Sequence, residues 1–533
     1  MTLRNPKDVL DYLSRSFLAV AGITPLVYIL ACILLTFLFV RTKRRHLRLP
    51  PGPRPLPFVG NIRQLPATYQ EVTYTEWGKQ YGDIVYARFF NTPVVVLNRV
   101  HIARALLDKR GAKYSGRPRF TYVGDIVKWK HLVMLPYDAQ WRRQRRWFQT
   151  ALLARNTLNS YEALQSKEVH TLLQDLVREP KEALSHVKRY AAALMLGVGY
   201  GYSPSSVDDE YIRNSEEAIH LTLDGGGPGA FVVDFFPALK YLPACLPGME
   251  FKRRGLRARK LVRDMEHIPL ERVQREMAAG TARACFGTVL LEEAMSGGKG
   301  VLSEDEEQEI ASALGILYLA GTDTTTSLVS AFILLMVLHP DVLHKAQAEV
   351  DNVIGNAGLP ALSDQAALPY LDAVLKEVYR WTAPAPVGGP HQLTEEDEFA
   401  GFDMPKGSTV LANIWAMSRD EEHYPDPETF APERFLGVTE EVAQTRDPHM
   451  FVFGFGRRIC PGRVLADSSI FLAAANLVAV FDIRPARTLD GKEIIPVPAF
   501  TSGTVRSPKP YLCDISPRSR KKVDLVLGTT APW

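Results

Sequence analysis

Residues Phe453-Gly454-Phe455-Gly456-Arg457-Arg458-Ile459-Cys460-Pro461-Gly462 present one cysteine, Cys460, at the end of a glycine-loosened loop with two arginines just upstream. A thiolate must lose its proton before it binds a metal, and nearby positive charge favours that form. Gly454 and Gly456 open backbone conformations closed to other residues, which lets the chain approach a flat ligand closely. Pro461 has no N–H to donate and leaves neighbouring amides free to point at the sulfur. The stretch reads as a single thiolate held against a metal from one side, with a cation beside any acidic group the ligand carries. A lone cysteine is by itself a small buried hydrophobe. Gly454 and Gly456 also lack the third glycine of a dinucleotide loop. The information lies in the combination of Phe453, Gly456, Arg458, Cys460 and Gly462.

Around this loop the chain runs to 533 residues, 46% hydrophobic and 23% charged, a folded composition with room for several domains or one large enzyme unit. A net charge of +4 is too small to argue for nucleic acid. Five cysteines (Cys32, Cys245, Cys285, Cys460, Cys513) include no Cys-x-x-Cys pair, which disfavours a disulfide scaffold or structural zinc and fits a reducing compartment. Phe17 to Val40 carries no charge over 24 positions and is long enough to span a bilayer. Arg41, Lys43, Arg44, Arg45 and Arg48 follow, so the positive-inside rule puts the remainder in the cytosol. The expected organisation is a short lumenal N-terminus (1–16), a transmembrane signal anchor (17–40), a basic and proline-rich hinge (41–61) and one domain over 62–533.

The fold expected is mainly α with small β-sheets. Ile84–Phe90 and Val94–Leu97 read as strands around an Asn91-Thr92 turn. Helical patterns dominate from Asp138, including a basic amphipathic stretch from Glu250 to Met277. Short β-rich pieces return between Pro384 and Val410 and after Ile494. Residues 311–338 are apolar apart from Asp323. Burying that carboxylate in lipid is expensive, and the acidic run Glu304-Asp305-Glu306-Glu307 makes a good helix start. A core helix of a soluble domain is therefore expected there. Within it, Ala320 and Gly321 are small enough for a cofactor or diatomic ligand to approach, and Asp323 with Thr324 supplies the carboxylate and hydroxyl of a proton relay. Thr325 and Thr326 are expected to bond only to the preceding turn.

The pattern Phe-x-x-Gly-x-Arg-x-Cys-x-Gly resembles the cysteine-ligand loop of the cytochrome P450 family, haem-thiolate monooxygenases. Four further motifs in the same order resemble that family. Ala320-Gly321-Thr322-Asp323-Thr324 is similar to its oxygen-activation motif. Glu377-x-x-Arg380 and Pro432-Glu433-Arg434-Phe435 are similar to its structural triad, which assigns Glu377, Arg380 and Arg434 to the core and not to chemistry. Trp141-x-x-x-Arg145 resembles its propionate contact, as does Arg458. His391 matches a position where many members place a third donor, although a lone histidine is also commonly a satisfied side chain. Arg142, Arg143 and Arg146 form either a basic docking face or a solvated one, and Arg457 reads as surface charge. The wording around Asp234-Phe235-Phe236-Pro237 and Pro390-His391 looks most like fungal, membrane-anchored microsomal members.

The resemblance implies the P450 fold, haem b with Cys460 as the axial iron ligand, and O2 as co-substrate. It further implies electrons from NADPH through a separate cytochrome P450 reductase, with cytochrome b5 as a further donor, on the endoplasmic reticulum membrane. The implied reaction inserts one oxygen atom into a lipophilic molecule, by hydroxylation, epoxidation or dealkylation, in secondary metabolism or xenobiotic oxidation. A haem-thiolate isomerase or dehydratase, and a non-catalytic membrane-tethered haem sensor, remain as alternatives. Phe120, Val123, Phe231 to Phe236, Leu317, Thr325, Val387 to Gly389 and Thr501-Ser502 are the expected substrate pocket.

Overall fold

The computed structural model describes residues 47–204, 206–223, 231–296, 302–355 and 358–528. The expected lumenal segment, the anchor and the basic start of the hinge lie outside the described residues.

Helix α1 (Ala139–Leu153) begins where Asp138 Oδ1 accepts the Trp141 amide at 2.9 Å, satisfying one of the orphan donors of a helix start. Helix α2 (Ala183–Tyr200) is apolar on nearly every side, buried almost throughout, and stops at Gly201 with φ 68°. Helix α3 (Glu304–Leu338) opens with a reciprocal capping box between Ser303 and Glu306, and four acidic residues fill its first turn. It passes a length-and-apolarity test for a membrane span, yet 72% of its apolar window is buried inside the protein. It is a core helix. Helix α4 (Pro369–Thr382) starts on a proline, whose missing N–H costs nothing there. Helix α5 (Arg463–Val480) follows the Cys460 loop directly.

Helix α3 packs along α2, with α4 and α5 also against it. Two glycines set the closest approaches. A Cβ at Gly321 would lie 2.0 Å from Met195 Sδ, and one at Gly199 would touch Leu317 at 3.4 Å. Each fully buried Val, Leu or Phe in this interface contributes about 1.5–3 kcal/mol.

The strands are β1 (Ile84–Phe89), β2 (Thr92–Leu97), β3 (His391–Gln392), β4 (Asp397–Phe399), β5 (Phe402–Met404), β6 (Thr409–Ala412), β7 (Phe481–Arg487), β8 (Glu493–Ile494) and β9 (Cys513–Pro517). One sheet runs β1-β2-β6-β3, with β2 and β6 parallel. A second runs β8-β7-β9. Two expectations need correction. Phe89 pairs with Thr92, so the hairpin turn is Phe90-Asn91, with Phe90 at φ 52° and its ring held by Phe235 and Phe236. Strand β7 was not expected: it continues from α5 without a breaker and contains Pro485, placed where pairing passes from β9 to β8.

The contacts divide the chain into two units. The larger comprises residues 51–396 and 405–533 and carries every site residue below. In the smaller, the Arg48 amide donates to Asp403 Oδ2 at 2.7 Å and the Arg48 side chain pairs with Glu398 in the β4–β5 hairpin.

Candidate active site

The Cys460 loop is held in shape by its glycines. Gly456 has φ 56°, and a Cβ there would sit 2.1 Å from the Leu107 carbonyl oxygen. Gly454 has φ 78° with open space around it. The Cys460 amide donates to the Phe453 carbonyl at 2.8 Å, closing the turn. Burial pushes the Cys460 thiol up, opposed by the Gly462 amide, Arg145 and Arg463. This corrects the expectation of a thiolate favoured by Arg457 and Arg458. Burial wins, the cations acting on the sulfur are Arg145 and Arg463, and a metal must replace the proton. Arg457 is exposed and donates to Tyr137 Oη at 2.7 Å.

Beside this loop several cations converge. Arg458 Nε donates to the Ser115 carbonyl and Nη2 to the Leu135 carbonyl, both at 2.9 Å, while its guanidinium lies 4.6 Å over the Trp141 ring. Arg145 Nη1 donates to the Ile459 carbonyl at 2.6 Å. Arg117 donates to the Val133 carbonyl at 2.9 Å, the Gly389 carbonyl at 2.6 Å and the Pro390 carbonyl. Burial depresses all three guanidiniums, Arg117 to about 10 and Arg458 to about 9. His391, at the start of β3, bonds through Nδ1 to the Tyr114 carbonyl at 2.8 Å. Burial, then Arg117, pushes its imidazole down to about 3, so it is neutral with Nε2 as the bare nitrogen.

Among the described residues these three guanidiniums bond carbonyls and pair with no carboxylate. Desolvated positive charge without a counter-charge is costly. The cluster therefore fits a bound group with two carboxylates, one face of which meets Cys460. Haem is such a group: Cys460 would ligate its iron, and Arg117, Arg145 and Arg458 would hold its propionates. An anion there would also favour the protonated His391 that a third donor requires. Arg117 was missed in the sequence; its only signal is an arginine fixed between Gly116 and Pro118.

Ala320 is exposed in the middle of the otherwise buried α3, which marks where the helix faces open space. Thr324 Oγ1 donates to the Ala320 carbonyl at 2.7 Å. One expectation needs correction: Thr326, expected to bond to the preceding turn, has a buried hydroxyl without a partner, as has Thr322, whereas Thr324 makes such a bond. Gly321 is small for Met195, so its missing side chain serves helix packing. Burial raises the Asp323 carboxyl to about 6, against the pull of Lys188 and with the push of Glu216. Those two residues pair with each other near the surface.

Glu377 accepts from Arg380 Nε and Nη2, both at 2.7 Å, from Arg434 Nε at 3.1 Å and from the Ala431 amide at 2.9 Å. The structure therefore brings Glu377, Arg380 and Arg434 together in the core. Of the expected pocket residues, Phe120 and Val123 are buried, and Phe231 stacks on Tyr122 at 3.7 Å. Leu317 turns to Gly199 on α2, Val387 packs against the β1–β2 core, and Phe235 and Phe236 turn to Phe90. Of the basic face on α1, Arg143 is taken up by an ion pair with buried Glu309. Arg142 and Arg146 are exposed.

The cytochrome P450 family model matches residues 50–514. The chain is 44% identical to cytochrome P450 monooxygenase 136 of Postia placenta, over 91% of each chain. It is 40% identical to cytochrome P450 monooxygenase 176 of the same fungus, over 95% of this chain and 98% of the relative. It is 37% identical to the tryptamine 4-monooxygenase of Psilocybe cyanescens, over 91% of this chain and 96% of that one. A matched span covering most of the chain, together with relatives of this similarity, shows that the protein belongs to the cytochrome P450 family and is an oxygen-incorporating oxidoreductase.

Proposed function

We propose that this chain binds haem b through Cys460 and inserts one atom of O2 into a lipophilic organic substrate, the second atom leaving as water. The observation that carries the reading is the convergence of Arg117, Arg145, Arg458 and His391, without carboxylate partners, on the loop bearing Cys460. Bound there, haem supplies the oxygen-activating iron, made electron-rich by its thiolate ligand.

The remaining work falls to side chains of this protein. The guanidiniums fix the orientation of the acidic edge by charge-assisted hydrogen bonds. Asp323, with a carboxyl raised to about 6, is matched to gaining and losing a proton near neutral pH, within the field of the Lys188–Glu216 pair. The Thr324 hydroxyl can turn from the Ala320 carbonyl to a ligand at the open face of α3. Phe120, Val123 and Phe231 supply apolar walls that favour a substrate such as a terpenoid, steroid, polyketide or aromatic compound. The similarity to a tryptamine 4-monooxygenase makes indole amines a natural addition to a substrate panel.

Electrons would come from NADPH through a separate cytochrome P450 reductase, or through cytochrome b5. The uncharged 17–40 stretch with its following cations supports a single-pass anchor in the endoplasmic reticulum membrane, with the catalytic domain cytosolic. The test is reconstitution with reductase and NADPH against a lipophilic panel. Product formation should require both O2 and NADPH. Thr324→Ala should uncouple NADPH use from product, and Cys460→Ala should abolish turnover. Product formed without O2 would sink the reading and favour an isomerase or dehydratase.

A further inference from the structure

Beneath the Cys460 loop lies a cluster of charge that none of the motifs above uses. His449 and Asp467 stand 18 residues apart and bracket the loop in sequence. His449 Nδ1 is 2.6 Å from Asp447 Oδ1, and its Nε2 is 3.2 Å from Asp467 Oδ1. A neutral imidazole donates from one nitrogen only, so a ring set between two carboxylates is an imidazolium. Burial opposes that charge, but the two carboxylates prevail and hold His449 up at about 10. Tyr379 on α4 donates its hydroxyl to the same Asp467 oxygen at 2.8 Å. Lys376, itself paired to Asp372, acts on Asp447 from the same helix.

The cluster reaches the sulfur by two routes. The first is packing. The Phe453 ring lies 5.5 Å from the Tyr379 ring and 5.6 Å from the His449 ring, and the Phe453 carbonyl accepts the Cys460 amide. The second is placement: Asp467 lies on α5, the helix that follows the Cys460 loop directly, while Arg463 at the start of the same helix donates to the Cys460 carbonyl at 3.2 Å. A neutral side chain at 449 would remove the cation that lies between Asp447 and Asp467 below the loop.

We propose that Asp447, His449 and Asp467, with Tyr379, position the Cys460 loop and set the charge around its sulfur, so that His449 and Asp467 act as opposed levers on the reduction potential of the bound iron. The proposal rests on Cys460 being the iron ligand. Cationic charge beside a metal favours its reduced form and anionic charge its oxidised form, and groups outside the ligand set commonly tune potentials this way. The two residues must therefore move the potential in opposite directions. A purely structural clamp has no reason to do so.

The test uses the full chain loaded with haem, as wild type, His449→Gln and Asp467→Asn. Each is titrated with redox dyes while the iron spectrum is followed. In Asp467→Asn, His449 keeps its Asp447 partner, and the titration is run on the acidic side of neutrality so that the imidazolium persists and one negative charge is removed. The potential should fall in His449→Gln and rise in Asp467→Asn, each by about threefold to tenfold in the reduction equilibrium, tenfold being about 59 mV for one electron. Shifts of the same sign, or both within about twofold, would overturn the proposal. Should His449→Gln fail to hold haem, the sign for Asp467→Asn decides alone. The reduced CO complex of the unmutated chain separates the two layers of the argument. Absence of its thiolate-specific band would overturn the ligand assignment on which the role of the cluster rests.

Discussion

Replacing Glu377 by glutamine tests whether the core around the loop depends on a buried charge. The carboxylate is inaccessible to solvent, as is Arg380, and the Arg434 side chain is only 8% exposed. It receives four hydrogen bonds, three of them from guanidiniums. Glutamine keeps the shape, but it turns an NH2 toward one of these donors and leaves two buried cations without a counter-charge. Breaking a buried pair in this way costs about 3–5 kcal/mol. The remaining Arg380 bonds, to the Ser418 carbonyl at 2.8 Å and the Thr429 carbonyl at 3.4 Å, bring no negative charge. At the usual unfolding entropy per residue, a chain of 533 residues gives about 1.1 kcal/mol per kelvin, so the melting temperature should fall by about 3–5 °C. The control is Glu433→Gln, which breaks a pair with Lys345 whose side chains are 48% and 54% exposed, a contact worth below about 1 kcal/mol. Differential scanning fluorimetry of the haem-loaded variants reads both. A Glu377→Gln melting point within about 1 °C of the parent, or no lower than the control, would refute the reasoning.

Three further outcomes are expected. Asp323 has a folded-state pKa above its unfolded value, so the folded form binds the proton more tightly, and its contribution to stability falls as pH rises from about 4 to about 6. Asp323→Asn should remove that slope from a plot of melting temperature against pH, raise stability at neutral pH and slow turnover. Gly456→Ala should block haem incorporation, because its Cβ meets backbone 2.1 Å away, whereas Gly454→Ala should cost only the left-handed strain of about 1–2 kcal/mol; absorbance of the purified proteins compares them. Arg117→Leu should speed haem transfer to an acceptor protein by about 10–150-fold, the loss of one charge-assisted contact of about 1.5–3 kcal/mol.

Legibility in the sequence followed how local the physics is. The Cys460 loop, the acidic helix start at Glu304–Glu307 and the apolar run of α3 are written in neighbouring residues, and each could be read from them. What a helix face meets is not local. Nothing within α3 says that Gly321 abuts Met195 or that Leu317 turns to Gly199, because those outcomes belong to α2. The same holds for the threonines: Thr324 finds the Ala320 carbonyl while the Thr326 hydroxyl finds nothing. Arg117 was invisible for a related reason. It meets His391 through the bridge between Gly116 and Gln392, and Arg458 through the Ser115 carbonyl, partners that lie about three hundred residues further along the chain.

Those distant cations also explain why fold and cofactor should be coupled in this protein. Arg117, Arg145 and Arg458 are drawn from three separate parts of the chain, and each donates to backbone carbonyls through part of its N–H groups. That arrangement fixes their positions but leaves their charge, and some of their N–H groups, for an anion. After burial, the Arg117 charge pushes Arg458 and His391 further down. A dianionic ligand removes this penalty at a stroke and binds only the folded form, so its binding energy becomes stability. With haem held by these residues, the segments around residues 117, 145, 391 and 458 would order together with it. Arg117→Leu must in consequence weaken the haem-loaded protein more than the haem-free one, since only the former loses an attraction while both lose the same carbonyl contacts.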